Sequence, residues 1–391
     1  MLFESRRFDF FAPRQIVFGS SRLSELGQLA RSLGRRALIV RGGTSLDRAG
    51  IPERVTRLLS GAGVEAHWGP RIEREPQVSD VDQAVAQVRR DPPDFIIGIG
   101  GGSAIDLAKA IASLVPQQDS STVVDYLETV GRGRTLIQSP LPVIAVPTTA
   151  GTGSEVTKNA VISDSANHFK ASLRHPGMVP VVALVDPELT LTCPQALTVH
   201  SGMDALTQLI ESYLSRRAQP ISDALALEGI RVAKECLPRV AANGSDLEAR
   251  EGMAYAALLS GLALANSGLG LAHGVAPALG IYCNIPHGLA CAVMLPPALE
   301  VNRRVRAEKL ARVGEALTGR HFSSIEQGCD AAITTVRELS LSLGIPQRLS
   351  QLGVRREQIP ALVQASRGSS LKANPRDLSD AELAEIFQRL L

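Results

Sequence analysis

The chain has 391 residues, with 41 Lys and Arg against 39 Asp and Glu, which leaves a formal net charge of +2. At about 100–200 residues per domain, this length predicts two domains, or three. A composition with 45% hydrophobic and 20% charged residues excludes a disordered chain, and the small net charge gives no support to a nucleic-acid-binding protein.

The first half alternates apolar runs with helical patterns. Runs that suit strands lie at 36–41, 64–68, 95–99, 141–146 and 181–185. Helices are predicted at 53–59 and at 104–114. Another is predicted to begin after Ser79, with Ser79 as its cap and Asp82 as the partner of the cap. Because buried strands interleaved with helices are typical of a parallel sheet covered on both faces, we expect an α/β domain.

The second half carries helical patterns only. They lie at 203–215, 221–236, 247–264, 307–317 and 325–343, and Ser379 with Glu382 predicts the capping box of a last helix. We therefore expect two domains. An α/β domain spans residues 1–187, and an all-helical domain spans residues 188–391.

A stretch of 48 residues between Glu251 and Glu300 contains no Asp, Glu, Lys or Arg. Its segment 258–282 is long enough to cross a membrane, but Asn266, His273 and Pro277 would be costly in lipid. We expect a buried helix pair that carries a functional site. With no signal-like N-terminus and five scattered cysteines, we expect a cytoplasmic protein without a membrane partner.

Gly98–Lys109 joins a buried strand to a helix through several glycines. Glycines let a ligand approach the backbone, and the free N–H groups of a helix start favour phosphate. This motif predicts a diphosphate site, although a tight strand–helix turn would look similar. A second loop, 147–157, follows another strand and is rich in Thr. It is either an ordinary turn or part of the same ligand site, because strand ends meet at the carboxyl edge of such sheets.

Four residues of the second half suit a divalent metal. Asp204 and Gln208 are four apart and share a helix face, while His273 and His287 lie in the uncharged stretch. Two histidines and one carboxylate can hold Fe²⁺ or Zn²⁺ and leave room for substrate. The alternative is that the histidines are hydrogen-bonded core residues.

Taken together, these motifs resemble the iron-containing (group III) alcohol dehydrogenases. The resemblance rests on Gly100–Lys109, the 147–157 loop, Gly202–Leu206 with Glu211, and His273 followed by Pro286–Gly288. It implies a Rossmann-like, dinucleotide-binding domain over residues 1–187 and an all-helical domain that binds metal and substrate over residues 188–391. The implied reaction is hydride transfer between an alcohol and an aldehyde or ketone, in a cleft between the two domains. The cofactor would supply the hydride chemistry, and a metal would polarise the substrate oxygen.

The resemblance also assigns residues. Asp204, His273 and His287 are the implied catalytic residues, and with Gln208 they are the implied metal ligands. The implied nicotinamide cofactor contacts are Gly100, Gly101, Gly102, Ser103, Asp106, Thr148, Thr149, Thr152, Asn159 and Lys170. A homodimer with a small alcohol or aldehyde substrate is implied as well.

Three positions depart from the family pattern. Gln208 stands where His is usual, and its amide is a weaker ligand, so we expect metal held mainly by the other three residues. Pro277 stands where many relatives carry a His, so no proton relay can use that position. Finally, Gly42, Gly43 and Thr44 replace the acid that often selects NAD.

The third departure predicts a preference for NADP(H), with NAD(H) possible. An acid at this strand end holds ribose hydroxyls and repels a 2′-phosphate, whereas glycine N–H groups, hydroxyls and Arg41 suit a phosphate. Two alternatives share the fold: a metal-independent reductase similar to maleylacetate reductases, and a lyase similar to dehydroquinate synthase. A non-catalytic cofactor-binding protein is the remaining possibility.

Overall fold

A parallel sheet forms the core of the first half of the chain. The computed structural model describes residues 7–119 and 122–391. In these residues the strands are β1 (Gln15–Phe18), β2 (Arg36–Arg41), β3 (Glu65–Arg71), β4 (Phe95–Gly100), β5 (Val143–Pro147), β6 (Asn159–Asp164), β7 (Phe169–Arg174) and β8 (Val182–Val185). Six of them form one parallel sheet in the order β1-β8-β5-β4-β2-β3, while β6 and β7 pair as an antiparallel hairpin.

Helices make up most of the rest. The first five are α1 (Leu26–Arg31), α2 (Thr44–Arg48), α3 (Ile51–Gly61), α4 (Val78–Val88) and α5 (Gly102–Leu114). The others are α6 (Gln195–Leu214), α7 (Pro220–Ala242), α8 (Leu247–Ser267), α9 (Leu271–Cys283), α10 (His287–Asn302), α11 (Ala307–Thr318), α12 (Ile325–Ser342), α13 (Ile359–Ala365), α14 (Ser369–Lys372) and α15 (Asp380–Arg389). The predicted fold class, an α/β half followed by a helical half, is confirmed.

The sheet is buried on both faces because its strands are apolar throughout. Alternate residues of β2 and β4 enter different clusters: Leu38 and Ile96 join one, Ile39 and Ile97 the other. Successive side chains of a strand point to opposite faces, so each cluster is the core on one side of the sheet. This burial explains the unbroken apolar runs in the sequence.

The described residues form two compact units. The sheet unit holds Ala12–Thr198 and Gly244–Ala254, and the helical unit holds residues 7–11, Val199–Asn243 and Tyr255–Leu391. Residues 188–198 and 244–254 thus pack with the sheet. The domain limits expected from the sequence, 1–187 and 188–391, stay a prediction.

One predicted helix cap is wrong. Gln77, not Ser79, caps α4, and its partner in the capping box is Asp80, whose carboxylate accepts from the Gln77 N–H at 2.8 Å. Asp82, the expected partner, instead accepts from the N–H of Val123 at 2.7 Å. Gln was passed over because Ser, Thr, Asp and Asn dominate the cap position.

The uncharged stretch forms most of α8, all of α9 and most of α10. No single helix in the described part of the chain has the length and apolar character of a membrane span, although α8 and α9 together pass that test as a pair bent by 102°. Their side chains are mostly buried in the fold. The predicted buried helix pair is therefore present.

Candidate active site

Three helices of the helical unit bring the candidate metal ligands together. Asp204 lies in the middle of α6, His273 is the third residue of α9, and His287 is the first residue of α10. Cys291 follows His287 by one turn of α10 and shares its face. One ligand atom from each of these four residues lies within 4.8 Å of the others.

The shortest distances are those of a compact centre. His273 Nε2 lies 3.1 Å from Asp204 Oδ1, and His287 Nε2 lies 3.9 Å from the same oxygen. The Asp204 and His273 side chains are 3% and 4% exposed, whereas that of His287 is 30% exposed. The centre is thus closed on the side of α6 and α9 and open at His287.

Glu211 orients the first histidine. Its carboxylate lies 2.7 Å from His273 Nδ1 and also accepts from the backbone N–H groups of Ala272 and His273, at 2.6 and 3.2 Å. These bonds hold the start of α9 against α6 and direct Nε2 towards Asp204. A carboxylate behind a ligating imidazole fixes its tautomer and raises its basicity.

Gln208 lies beside Asp204 but presents its amide nitrogen to it. The amide nitrogen donates to Asp204 Oδ2 at 3.1 Å, while the amide oxygen accepts from the Ser260 hydroxyl at 2.7 Å. An amide N–H₂ is a donor and cannot bind a cation. The oxygen would reach an ion only after the amide has turned, and Ser260 permits this because its hydroxyl also lies 2.8 Å from Ala257 O.

The electrostatics of the centre favour a cation. Burial raises the pKa of Asp204, but the hydrogen bond from His273 and the charges of His287 and His273 outweigh it and lower that pKa. Burial lowers the pKa of His273, yet neighbouring Cys291, Asp204 and Glu211 together raise it well above its usual value. A site that stabilises a proton between carboxylates can instead hold a divalent ion.

The donor set fits a transition-metal ion. Two imidazole nitrogens and a carboxylate are ligands of Zn²⁺ and Fe²⁺, and they converge here in a buried place. Pro277 lies inside α9, one turn after His273, and has no proton to give. His200 also lies near the centre through its backbone, since a Cβ on Gly288 would meet His200 O at 2.3 Å.

The sheet unit brings the predicted cofactor loops together at one edge. Strands β5, β4 and β2 are neighbours, so the residues that follow them share the carboxyl edge. The Gly42 N–H donates to Ile99 O at 2.8 Å, and the Thr148 N–H donates to Gly100 O at 2.9 Å. Gly100 has φ +151°, and a Cβ there would lie 2.9 Å from Gly42 N, so only glycine suits this crossing.

The start of α5 is open to a ligand. Gly101 is its N-cap, and no side chain in the described part of the chain caps this end. Thr149 and Thr152 line it, because Cβ atoms on Gly101 and Gly102 would meet them at 3.5 and 2.7 Å. Ser103 follows in the first turn, so backbone N–H groups and hydroxyls meet at this helix start, as a phosphate site would require.

Asp106 and Lys109 hold the second loop in place. Asp106 accepts from the Ser154 hydroxyl and, at 2.9 Å, from the Val161 N–H. Buried Lys109 lies 3.2 Å from the Asp106 carboxylate and donates to Thr157 Oγ1 at 2.9 Å. Asp106, expected to contact the cofactor, therefore already has three protein partners and positions the loop.

The two remaining predicted contacts differ. Asn159 Oδ1 is buried and has no hydrogen-bond partner among the described residues, which suits an acceptor that awaits a ligand donor. Lys170 forms an ion pair with Glu75, and its side chain is only 9% exposed. The structure thus brings Asn159 to the loops as a candidate ligand contact and gives Lys170 a protein partner.

The loop after β2 is flanked by balanced charges. Arg41 pairs with Asp47 and lies over the Trp68 ring, 5.5 Å from its centroid. Arg71 pairs with Glu73, which also accepts from the Thr44 N–H at 3.3 Å. The Glu73 carboxylate, from beyond β3, therefore stands near Gly43 and Thr44, and Asp47 follows in α2, whereas the strand end itself has no acid.

Sequence reasoning assigned no role to two residues that lie beside the candidate metal ligands. Glu211 belongs to the motif that carries the family resemblance, but no role was assigned to it. Cys291 follows His287 by four residues, the same spacing that linked Asp204 with Gln208. This four-residue spacing is the signal in the sequence that could have identified Cys291.

Comparison with known proteins gives the family. The sequence model described as "Iron-containing alcohol dehydrogenase" matches residues 13–187, and that described as "Fe-containing alcohol dehydrogenase family, C-terminal" matches residues 198–391. The chain is 33% identical to the NAD-dependent methanol dehydrogenase of Bacillus methanolicus, over 98% of this chain and 100% of that protein. It is 34% identical to the NADPH-dependent butanol dehydrogenase of Clostridium saccharobutylicum, over 97% of each.

The fold agrees. The crystal structure of a 1,3-propanediol oxidoreductase superposes with a TM-score of 0.93 at 34% identity, over 99% of this chain and 100% of that one. The resemblance seen in the motifs is confirmed over both halves of the chain. The chain therefore belongs to the iron-containing alcohol dehydrogenase family and is an NAD(P)-dependent oxidoreductase that acts on alcohols.

Proposed function

We propose that this protein is a metal-assisted alcohol dehydrogenase or aldehyde reductase that prefers NADP(H) and acts on a small alcohol or aldehyde. The observation that carries the proposal is the convergence of Asp204, His273 and His287 in the helical unit. These three residues would hold Fe²⁺ or Zn²⁺, with Gln208 as a weaker ligand once its amide has turned. When bound, the metal would polarise the substrate oxygen, and the nicotinamide would carry the hydride.

Each residue of the chain has a separate task in this scheme. Asp204 and His273 hold the buried side of the centre, and Glu211 keeps the Nε2 lone pair of His273 available. His287 leaves the open side for substrate. Because Pro277 cannot relay a proton, the proton of the alcohol would leave through water or a cofactor ribose hydroxyl.

The dinucleotide would bind along the carboxyl edge of the sheet. Gly101, Gly102 and Ser103 would receive the diphosphate, with Thr148, Thr149 and Thr152 beside it. Asn159 Oδ1 would accept a hydrogen bond from the cofactor. Asp106 and Lys170, given as cofactor contacts by the resemblance, would act mainly through the loop and hairpin that they hold.

Preference for NADP(H) rests on Arg41 and Arg71 near Gly42, Gly43 and Thr44. Their carboxylate partners, Asp47 and Glu73, would give way to a 2′-phosphate, because a guanidinium group can bind a phosphate through two parallel hydrogen bonds. Arg41→Ala and Arg71→Ala should lower kcat/KM for NADPH and leave kcat/KM for NADH nearly unchanged. Arg48→Ala, at an exposed position of the same unit, is the control.

Steady-state kinetics with both cofactors decide the preference. A preference for NADH of about tenfold, equivalent to about 1.4 kcal/mol, would refute it. The same panel of alcohols and aldehydes, with and without added Fe²⁺ or Zn²⁺, tests the metal. Loss of turnover on chelation and recovery with either ion is the expected result.

A second candidate function is a metal-independent reductase similar to maleylacetate reductases. One observation favours it: the Gln208 amide presents nitrogen, not oxygen, to Asp204. Full turnover after exhaustive chelation, with no bound metal, would select this alternative. A cytoplasmic location and a homodimer are part of the proposal, and sedimentation of the purified protein tests the dimer.

A further inference from the structure

Cys291 is a buried thiol in the middle of the proposed metal centre. It is 0% exposed, and its Sγ lies 3.7 Å from His287 Nε2. Its sulfur belongs to the group of ligand atoms, with those of Asp204 and His273, that lie within 4.8 Å of one another. The hydride chemistry described above gives this thiol no role.

Three of the spacings among the four atoms are close to those of a tetrahedral site. Metal bonds of about 2.0–2.1 Å to nitrogen or oxygen and about 2.3 Å to sulfur place N and O atoms roughly 3.3 Å apart and sulfur roughly 3.6 Å from nitrogen. In the structure, His273 Nε2 and His287 Nε2 lie 3.1 and 3.9 Å from Asp204 Oδ1, and His287 Nε2 lies 3.7 Å from Cys291 Sγ. These three separations lie close to the expected ones, and the remaining ones are no longer than 4.8 Å.

Position rather than charge distinguishes Cys291 from Gln208. An ion of charge +2 would already be balanced by two buried carboxylates, Asp204 among its ligands and Glu211 behind His273. Cys291 offers a sulfur inside the group of ligand atoms, whereas the Gln208 amide holds its oxygen on Ser260. A thiol that coordinates a metal ion is deprotonated by it, so the ion itself would create the thiolate.

We propose that Cys291 is the fourth protein ligand of the metal in this chain, in place of the fourth ligand that Gln208 offers only weakly. The S–H bond breaks as the sulfur–metal bond forms, and the proton leaves to solvent. A soft thiolate shifts the site towards Zn²⁺ relative to Fe²⁺. This inference rests on the proposed function, since it requires that a metal is bound.

Cobalt(II) substitution tests the ligand directly. The full-length protein is stripped of metal and titrated with Co²⁺ alone, and the absorbance spectrum is recorded. Bound Co²⁺ should show a thiolate-to-cobalt charge-transfer band in the wild type. In Cys291→Ser the band should disappear, and the affinity for Zn²⁺, measured by chelator competition, should fall by roughly tenfold or more.

Cys329→Ser is the matched control, because Cys329 is another buried thiol of the helical unit, and it lies 3.3 Å from Ala307 O rather than at the centre. The thiolate-to-cobalt charge-transfer band should persist in Cys329→Ser. Co²⁺ bound at one equivalent without the band, or a band that survives in Cys291→Ser, would overturn the cysteine ligand and leave the metal-assisted function standing. No binding of Co²⁺ at all would overturn both.

Discussion

Glu211 shows how one carboxylate can set the chemistry of another residue. It accepts hydrogen bonds from His273 Nδ1 and from two backbone N–H groups at the start of α9. The same group therefore caps the helix and chooses the tautomer of the histidine. A ligand presented in this way loses little freedom when it binds an ion.

Glu211→Gln should weaken metal binding. The amide keeps the size of the side chain but loses the charge that supports the imidazole, and loss of such a partner typically costs 10–100-fold in metal affinity, as an order of magnitude. Competition with a chelator measures the dissociation constant. Glu385→Gln, at an exposed carboxylate on α15 that pairs with Arg389, should bind metal like the wild type, and an unchanged constant in Glu211→Gln would contradict the role.

Close packing of α10 on α6 positions His287 at the scale of elements. A Cβ on Gly288 would lie 2.3 Å from His200 O and 3.3 Å from Asp204 Cβ. Backbone atoms cannot yield by rotating a side chain. The absence of a side chain at Gly288 therefore lets the helix that carries His287 approach the helix that carries Asp204.

Gly288→Ala should consequently separate the two ligands and release the metal. We expect a loss of retained metal and of activity, with a destabilisation of about 1–3 kcal/mol from overpacking. Metal content after purification and denaturant unfolding measure the two effects. Gly280→Ala on α9 is the control, since its Cβ would meet only Ile285 O, at an ordinary 3.6 Å; equal metal retention in both variants would be evidence against the packing argument.

At the scale of the whole molecule, the distribution of charge matters more than its total. The net charge of +2 hides a stretch of 48 residues without a formal charge. It also hides buried ionisable groups in the sheet unit, among which Lys109 and Glu155 are 0% and 3% exposed. Such groups make the stability of the fold depend on pH.

Glu155 should make the sheet unit less stable as the pH rises. Burial raises its pKa from 4.5 to about 7, so between these values the folded state binds more protons than the unfolded state. The loss of folding stability that comes from burying the charged carboxylate is absent below pH 4.5, grows up to about pH 7 and then stays constant, at about 3 kcal/mol. In Glu155→Gln, the free energy of unfolding should lack this pH dependence, and the variant should be more stable than the wild type above pH 7. Denaturant unfolding at a series of pH values measures this, and parallel plots of stability against pH for the two proteins would rule the effect out.

How far the sequence predicted the structure depends on the range of the interactions. The buried strands and long helices were predicted because their patterns are local and strong. Strand β1 and the β6–β7 hairpin were not predicted, since β1 is short and half exposed and both strands of the hairpin carry polar residues. The cap of α4 was misplaced because Gln77 is an uncommon cap.

The sequence by itself determined the family, the alternation of strands and helices, and the residue types at the metal centre and at the glycine loops. Only the tertiary structure decided how they meet. It placed Cys291 beside the candidate metal ligands, joined the Gln208 amide oxygen to Ser260, and brought Glu73 to a strand end that has no acid of its own. The reason is physical: spacing along one helix or strand is local, whereas each of these contacts joins segments whose approach depends on the packing of the whole unit.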